Sequence, residues 1–233
     1  MRLVDAAARL RDACAGVVVE GAAYAYHPLA YAWDPHERFL RAYGEAQGRA
    51  VFVGMNPGPW GMAQTGVPFA DVAWAHGWMG IIGDVGQPER AHPKRPVLGY
   101  ASTRSDPSGG KFYGWAKRRF GTAERFFAEF FVLNYCPLLF LEEGGRNVPL
   151  PQLRKQDLER LAPACDAWLR EALDALAPRL VLPMGAFVEA RVRAAAGEAP
   201  VRAVRHPSPA NPANNAGWGE ELDDLVGKRA EPA

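Results

Sequence analysis

The sequence has no closely spaced pair of cysteines, no long apolar run and almost no net charge. Cys14, Cys136 and Cys165 are odd in number and far apart. Without a C-x-x-C pair, neither a zinc ribbon nor a four-thiolate iron–sulfur cluster is expected, and the simple reading is reduced thiols in a cytoplasmic protein. The most apolar stretch, "FFVLNYCPLLFL", holds Asn and Pro and falls short of the roughly 18 residues a membrane span needs. The N-terminal "MRLVDAAARLRDACAGVVVE" is broken by Asp5, Arg9, Arg11 and Asp12, so no signal peptide is expected. A net charge of +1 argues against a chain given over wholly to nucleic acid. Its distribution is uneven, however. Between Arg90 and Arg119 there are eight Lys or Arg against one acid, Asp106, a balance of +7 that leaves −6 for the rest. That asymmetry suits a polyanion-binding face, and equally a basic surface loop with no partner.

Apolar and aromatic residues are plentiful, 48% and 11%, enough for one sizeable core. A single domain over residues 1–233 is expected, since no repeat or linker divides the chain. Four apolar runs read as strands: 50–54 "AVFVG", 129–134 "EFFVLN", 179–183 "RLVLP" and 200–205 "PVRAVR". They are apolar on both parities, as strands buried on both faces are. Helical patterns lie between them at 121–128, 157–176 and 185–196, with Pro163 expected as a boundary or kink. Alternating strands and helices predict an α/β fold, three-layer α/β/α around a central, mostly parallel four-stranded sheet.

In such sheets ligands bind beyond the carboxyl ends of the strands, and three of the four runs end there in a polar residue and a proline. They are Asn56-Pro57, Asn134 with Pro137, and His206-Pro207. Each alone says little, and His-Pro recurs at His27 and His92. Together they place two amides and an imidazole at one edge.

The first tip opens into "VFVGMNPGPWGMAQTGVPF", residues 51–69. Gly54, Gly58 and Gly61 do not have G-x-G-x-x-G spacing, and no Gly-Lys-Ser/Thr follows. Pro57 and Pro59 remove two N–H groups that a phosphate nest would use. The loop offers instead close backbone approach at Gly54 and Gly58, an amide at Asn56 and a large ring at Phe69. A flat polar ring suits those parts, as in sites that receive a flipped nucleobase.

The segments "GMNPGPWGMAQTGVPF", "HPKRPVLG", "NYCPLLFL", "GRN" and "HPSPANPANNAGW" closely resemble the single-strand-selective monofunctional uracil-DNA glycosylases, in order from about residue 27 to about residue 225. The resemblance implies an enzyme that flips uracil, and 5-substituted oxidised uracils such as 5-hydroxymethyluracil, out of DNA and hydrolyses the glycosidic bond, initiating base excision repair. By position, Asn56 would orient the attacking water and His206 would donate to the uracil O2. Phe69 would stack on the base, Asn134 would read its Watson–Crick edge, and the Met55 backbone would touch it. Gly58 would leave room beside C5. Gly145, Arg146 and Asn147, with Pro207, Ser208, Pro209, Ala210 and Asn211, would meet DNA. Ala210 stands where animal members carry arginine, and Ala216 where they carry lysine, so a weaker wedge into the DNA stack is expected. Trp60 replaces a phenylalanine common in the family.

The opening motif holds no carboxylate, so an Asn-positioned water is expected rather than an Asp-activated one. No lysine is placed as a nucleophile, so no lyase step is expected. No metal or cofactor is expected, the partner is uracil-containing DNA, and a cytoplasmic monomer without membrane attachment is the simplest state. Two other readings remain open on sequence: a catalytically weak module of the same fold that binds DNA or damaged bases, and an α/β enzyme acting on free nucleosides.

Overall fold

In the computed structural model, residues 2–209, 214, 218–220, 222 and 223 are described. Helix α1 (Arg2–Ala13) is followed by strand β1 (Tyr24–Tyr26), a helical turn α2 (Pro28–Tyr31), α3 (Trp33–Tyr43) and strand β2 (Ala50–Gly54). Two short turns, α4 (Met62–Thr65) and α5 (Val72–Ala75), precede α6 (Pro107–Phe120) and α7 (Ala123–Glu129), which runs directly into β3 (Phe130–Asn134). Then come β4 (Leu139–Leu141), α8 (Lys155–Leu176), β5 (Leu180–Pro183) and α9 (Ala186–Ala195).

β2 is the centre of a parallel sheet ordered β3–β2–β5, with Ala50 level with Phe130 and Leu180, and Gly54 level with Asn134. The segment expected as a fourth strand runs alongside β5 in the same direction, but it pairs only through isolated bridges at Val181–Val201 and Met184–Val204. Pro183 and Pro200 lack the N–H groups a full ladder would use. The sheet is α/β in character as the patterning implies, with regular pairing confined to three strands.

The two faces of the sheet carry different helices because side chains alternate along each strand. Phe52 and Phe130 face α6 and α7, meeting Phe112, Trp115 and Phe126, with Phe126 stacked on Phe130 at 5.5 Å. On the other face Phe131 stacks on Phe39 of α3 at 5.4 Å, and α1 packs on α8 beyond it. Leu3, Val4, Ala7 and Leu10 form the buried stripe of α1, a helix not anticipated above. α8 runs from Lys155 to Leu176 straight through Pro163. Pro163 is exposed, so water can take the carbonyl its missing N–H would have engaged. The three cysteines are free and buried.

A second, two-stranded antiparallel ribbon pairs Tyr24 with Leu141 and Tyr26 with Leu139. The Tyr26 hydroxyl accepts from the His92 N–H at 2.6 Å and donates to the Arg95 carbonyl at 2.7 Å. The ribbon thereby fixes the basic segment against the body of the protein.

Candidate active site

Beyond the carboxyl ends of β2 and β3, where the chain leaves the sheet, lies a cavity of about 300 Å³. Asn56, Phe69, Asn134 and His206 all line it, with Met55 and Gly58. The three proline-terminated tips therefore open into one space.

Each polar group there has its orientation set by a neighbour. The Asn56 Nδ2 donates to the Leu138 carbonyl at 3.2 Å. A carbonyl only accepts, so the amine end of that amide is anchored and Oδ1 is the end left for a ligand or water. Asn134 is 6% exposed. Among the described residues its Nδ2 reaches only the Met62 sulfur at 3.3 Å, a weak acceptor, and its Oδ1 is buried with no partner. Such an oxygen costs about 1–3 kcal/mol until a donor arrives, which prepares the amide for a ligand carrying both an N–H and a carbonyl.

The Ser208 N–H donates to Nδ1 of His206 at 3.1 Å, so Nδ1 carries no proton. Burial pushes the imidazole pKa down to about 4. The ring is therefore neutral at pH 7 with its proton on Nε2, a fixed donor.

Phe69 has a left-handed backbone, φ 60°, costly for a bulky residue and characteristic of sites held by their surroundings. Here the surroundings are explicit. Thr65 Oγ1 donates to the Ala70 carbonyl at 2.7 Å and Tyr113 to the Pro68 carbonyl at 2.7 Å, and Gly109 packs its bare Cα against the Phe69 carbonyl. The ring lies 6.0 Å from that of His206. Gly54 is the other requirement. A Cβ there would come within 2.5 Å of both Asn134 Oδ1 and the Phe69 ring, so only glycine lets the two approach each other over the strand.

The segment expected to contact DNA divides. Asn147 lines the cavity itself, with a buried and unpartnered Oδ1. Gly145, at φ 84°, packs on the His92 ring, and Arg146 forms an ion pair with Glu142. Pro209 and Ser208 reach the cavity rim, while Pro207 is buried. Ala210, Asn211 and Ala216 lie outside the described residues. The basic stretch also divides. Arg95 and Arg104 stack on Trp60 at 5.3 and 5.1 Å beside the cavity, whereas Lys117, Arg118 and Arg119 occupy the last turn of α6, where cations complement the helix dipole.

Residues 41–224 match the model of the Uracil DNA glycosylase superfamily. The chain belongs to that superfamily. Over 197 residues, 83% of the chain, it is 43% identical to the single-strand selective monofunctional uracil DNA glycosylase of Bos taurus and covers 72% of that protein. Identity to the enzyme of the same name from Rattus norvegicus is 44%, over 83% of the chain and 71% of the relative. The crystal structure of wild-type SMUG2 from Pedobacter heparinus superposes with a TM-score of 0.63 at 18% identity, covering 95% of both chains, a likeness of fold.

Within this superfamily fold, the start of α6 had no place in the site expected from sequence, yet Asp106, Pro107 and Ser108 all line the cavity. Asp106 contributes a carboxylate to the cavity, although the opening motif has none. A signal for it was present: "SDPSG" reads as a loop, yet Asp followed by Pro is also a helix N-cap with proline in the first turn, and that is how α6 begins. Among the described residues, no three His, Cys, Asp or Glu gather as a metal site requires, and no helix is long and apolar enough to cross a membrane.

Proposed function

We propose that the protein is a monofunctional DNA glycosylase that receives a flipped uracil in this cavity and hydrolyses its bond to deoxyribose. The observation that carries the reading is Asn134: a buried amide whose oxygen lacks a donor and whose nitrogen has only a thioether. Uracil presents an N3–H and the adjacent O4, which would satisfy both ends together. The relatives named above are uracil DNA glycosylases, which supports the same substrate.

As the glycosidic bond breaks, positive charge grows on the sugar and negative charge on the base. The His206 Nε2–H, directed at O2, meets that negative charge as a neutral donor. A fixed donor of this kind is worth about two to three orders of magnitude in comparable oxyanion sites. Asn56 Oδ1 accepts from the water and orients it toward the sugar carbon; the water oxygen bonds to the sugar cation, and the proton it loses passes through solvent to the departing uracil anion. Phe69 supplies the face on which the base stacks. Gly58 lies against the C5 edge, so 5-substituted oxidised uracils such as 5-hydroxymethyluracil are further substrates, and the abasic product hands the site to base excision repair. Arg95 and Arg104, stacked on Trp60, face the phosphates near the mouth. The whole chain acts as one domain, as a monomer.

Purified protein incubated with a single-stranded oligonucleotide carrying one uracil should release the base without added metal or cofactor. Strand scission should appear only after alkali. Persistence of the uracil in both single- and double-stranded substrates would overturn the reading.

A further inference from the structure

Asp106 is only 7% exposed, and the chemistry above does not use it. Oδ1 serves as the N-cap of α6, accepting the Gly109 N–H at 2.8 Å. The Asp106 N–H in turn donates to Oδ2 of Asp71 at 2.9 Å, the N-cap residue of α5, so two helix starts lock the side chain in place. Oδ2 points the other way, at the "NPGPWG" loop. A Cβ on Gly58 would lie 2.5 Å from it and one on Gly61 2.9 Å. Two glycines therefore make room for a single oxygen.

Capping needs only one acceptor, and serine would supply it. The second oxygen, held in a cavity wall, has a desolvation cost. Burial pushes the carboxyl pKa up, against the lowering effect of the Gly109 and Ser108 N–H groups. Among the described residues no Lys, Arg or His pairs with it to offset that cost.

We propose that Asp106 is the specificity-determining residue for the base edge facing Gly58: its Oδ2 accepts a hydrogen bond from a hydroxyl there and rejects a methyl. This rests on the reading of the cavity as a uracil pocket with Gly58 at C5. A uracil glycosylase must spare thymine, which differs from uracil by one methyl, and an apolar wall discriminates a methyl by only about 10- to 200-fold. A carboxylate oxygen adds to that, because a methyl covers it and returns no hydrogen bond. A hydroxymethyl group is larger than a methyl yet supplies the missing donor. Size alone would rank the two the other way round.

The test measures kcat/KM of the full chain on single-stranded oligonucleotides bearing uracil, thymine or 5-hydroxymethyluracil. Asp106→Ser keeps the capping acceptor and removes Oδ2, while Asp106→Asn keeps shape and hydrogen-bonding capacity. Thermal melting checks that α6 remains capped. With Asp106→Ser, the ratio of 5-hydroxymethyluracil to uracil should fall about tenfold or more, and the ratio of thymine to uracil should rise. Asp106→Asn should retain more of the first ratio than the serine variant. Ratios left unchanged, or one common factor on all three substrates, would overturn the proposal while leaving the uracil pocket standing. So would a parent protein that excises uracil but treats 5-hydroxymethyluracil no better than thymine. A parent protein that releases no uracil overturns the pocket reading itself.

Discussion

His92-Pro93 and His206-Pro207 form the same turn: in each, the ring Nδ1 accepts the backbone N–H two residues on, from Lys94 at 2.9 Å and from Ser208 at 3.1 Å. Each ring thereby keeps its proton on Nε2. At His92 that proton goes to the Glu143 carbonyl at 2.9 Å, and the ring pins the 142–147 loop. At His206 the surroundings among the described residues are Phe69 and the cavity, so the donor is left for a ligand. Each side also depends on a glycine: Gly145 lies against the His92 ring, and Gly54 against Phe69 and Asn134. One local device thus does structural service at His92 and, on the proposed function, supplies a donor to the base at His206. What differs is whether the protein itself supplies the acceptor for Nε2.

The sharpest way to break this comparison is to remove each ring. His206→Ala should lower base release by about 10²–10³-fold with little change in melting temperature. His92→Ala should cost about 1–3 kcal/mol of stability by stranding buried partners, with the turnover of the folded fraction largely kept. Denaturant melts beside single-turnover assays separate the two. If both variants lose activity alike at equal stability, the division of labour is wrong.

The glycine pair gives the next effect. Gly54→Ala should displace Phe69 and Asn134 together and cost about 10²-fold in rate, the scale of a misplacement of about 1 Å. Gly145→Ala, at φ 84° and against the His92 ring, should appear in stability, at about 1 kcal/mol or more. Activity and melting measurements on both variants check whether the two effects separate.

Acid comes third. Burial holds the pKa of His27, His36 and His206 down at about 4, against about 6.5 when unfolded. Between those values the folded state binds fewer protons, so the stabilisation is complete above about pH 6.5 and is lost as pH falls toward 4. The slope is about 1.4 kcal/mol per pH unit for each fully differing proton. Chemical melts at pH 4.5, 5.5 and 7 measure this loss. The His206 contribution to the rate should be flat from about pH 6 to 8, because the ring is already neutral there. The smallest effect is expected at Arg146→Ala. Its ion pair with Glu142 is largely exposed, so stability should change by no more than about 1 kcal/mol.

Much of the site was legible because parallel strands obey a strong rule: whatever follows the carboxyl end of each strand shares one edge. Asn56, Asn134 and His206 needed only strand assignment and a proline to be placed there. The helix lost at α6 is instructive, since Gly109 and Gly110 look like a loop. Gly109 is present because the Phe69 carbonyl presses on that helix, a tertiary demand that overrides propensity. The β1–β4 ribbon escaped notice because three-residue strands are too short to show alternation. Asp106 was counted as a lone acid in a basic stretch, and nothing in linear spacing ties it to Gly58.

The most direct test of the central claim is release of uracil from a single-stranded oligonucleotide by the parent protein, Asn56→Ala and His206→Ala under single-turnover conditions. Release by the parent, reduced about 10²-fold or more in each variant with melting temperatures unchanged, is the predicted result. Parent activity that survives both substitutions would mean that the chemistry lies outside this cavity.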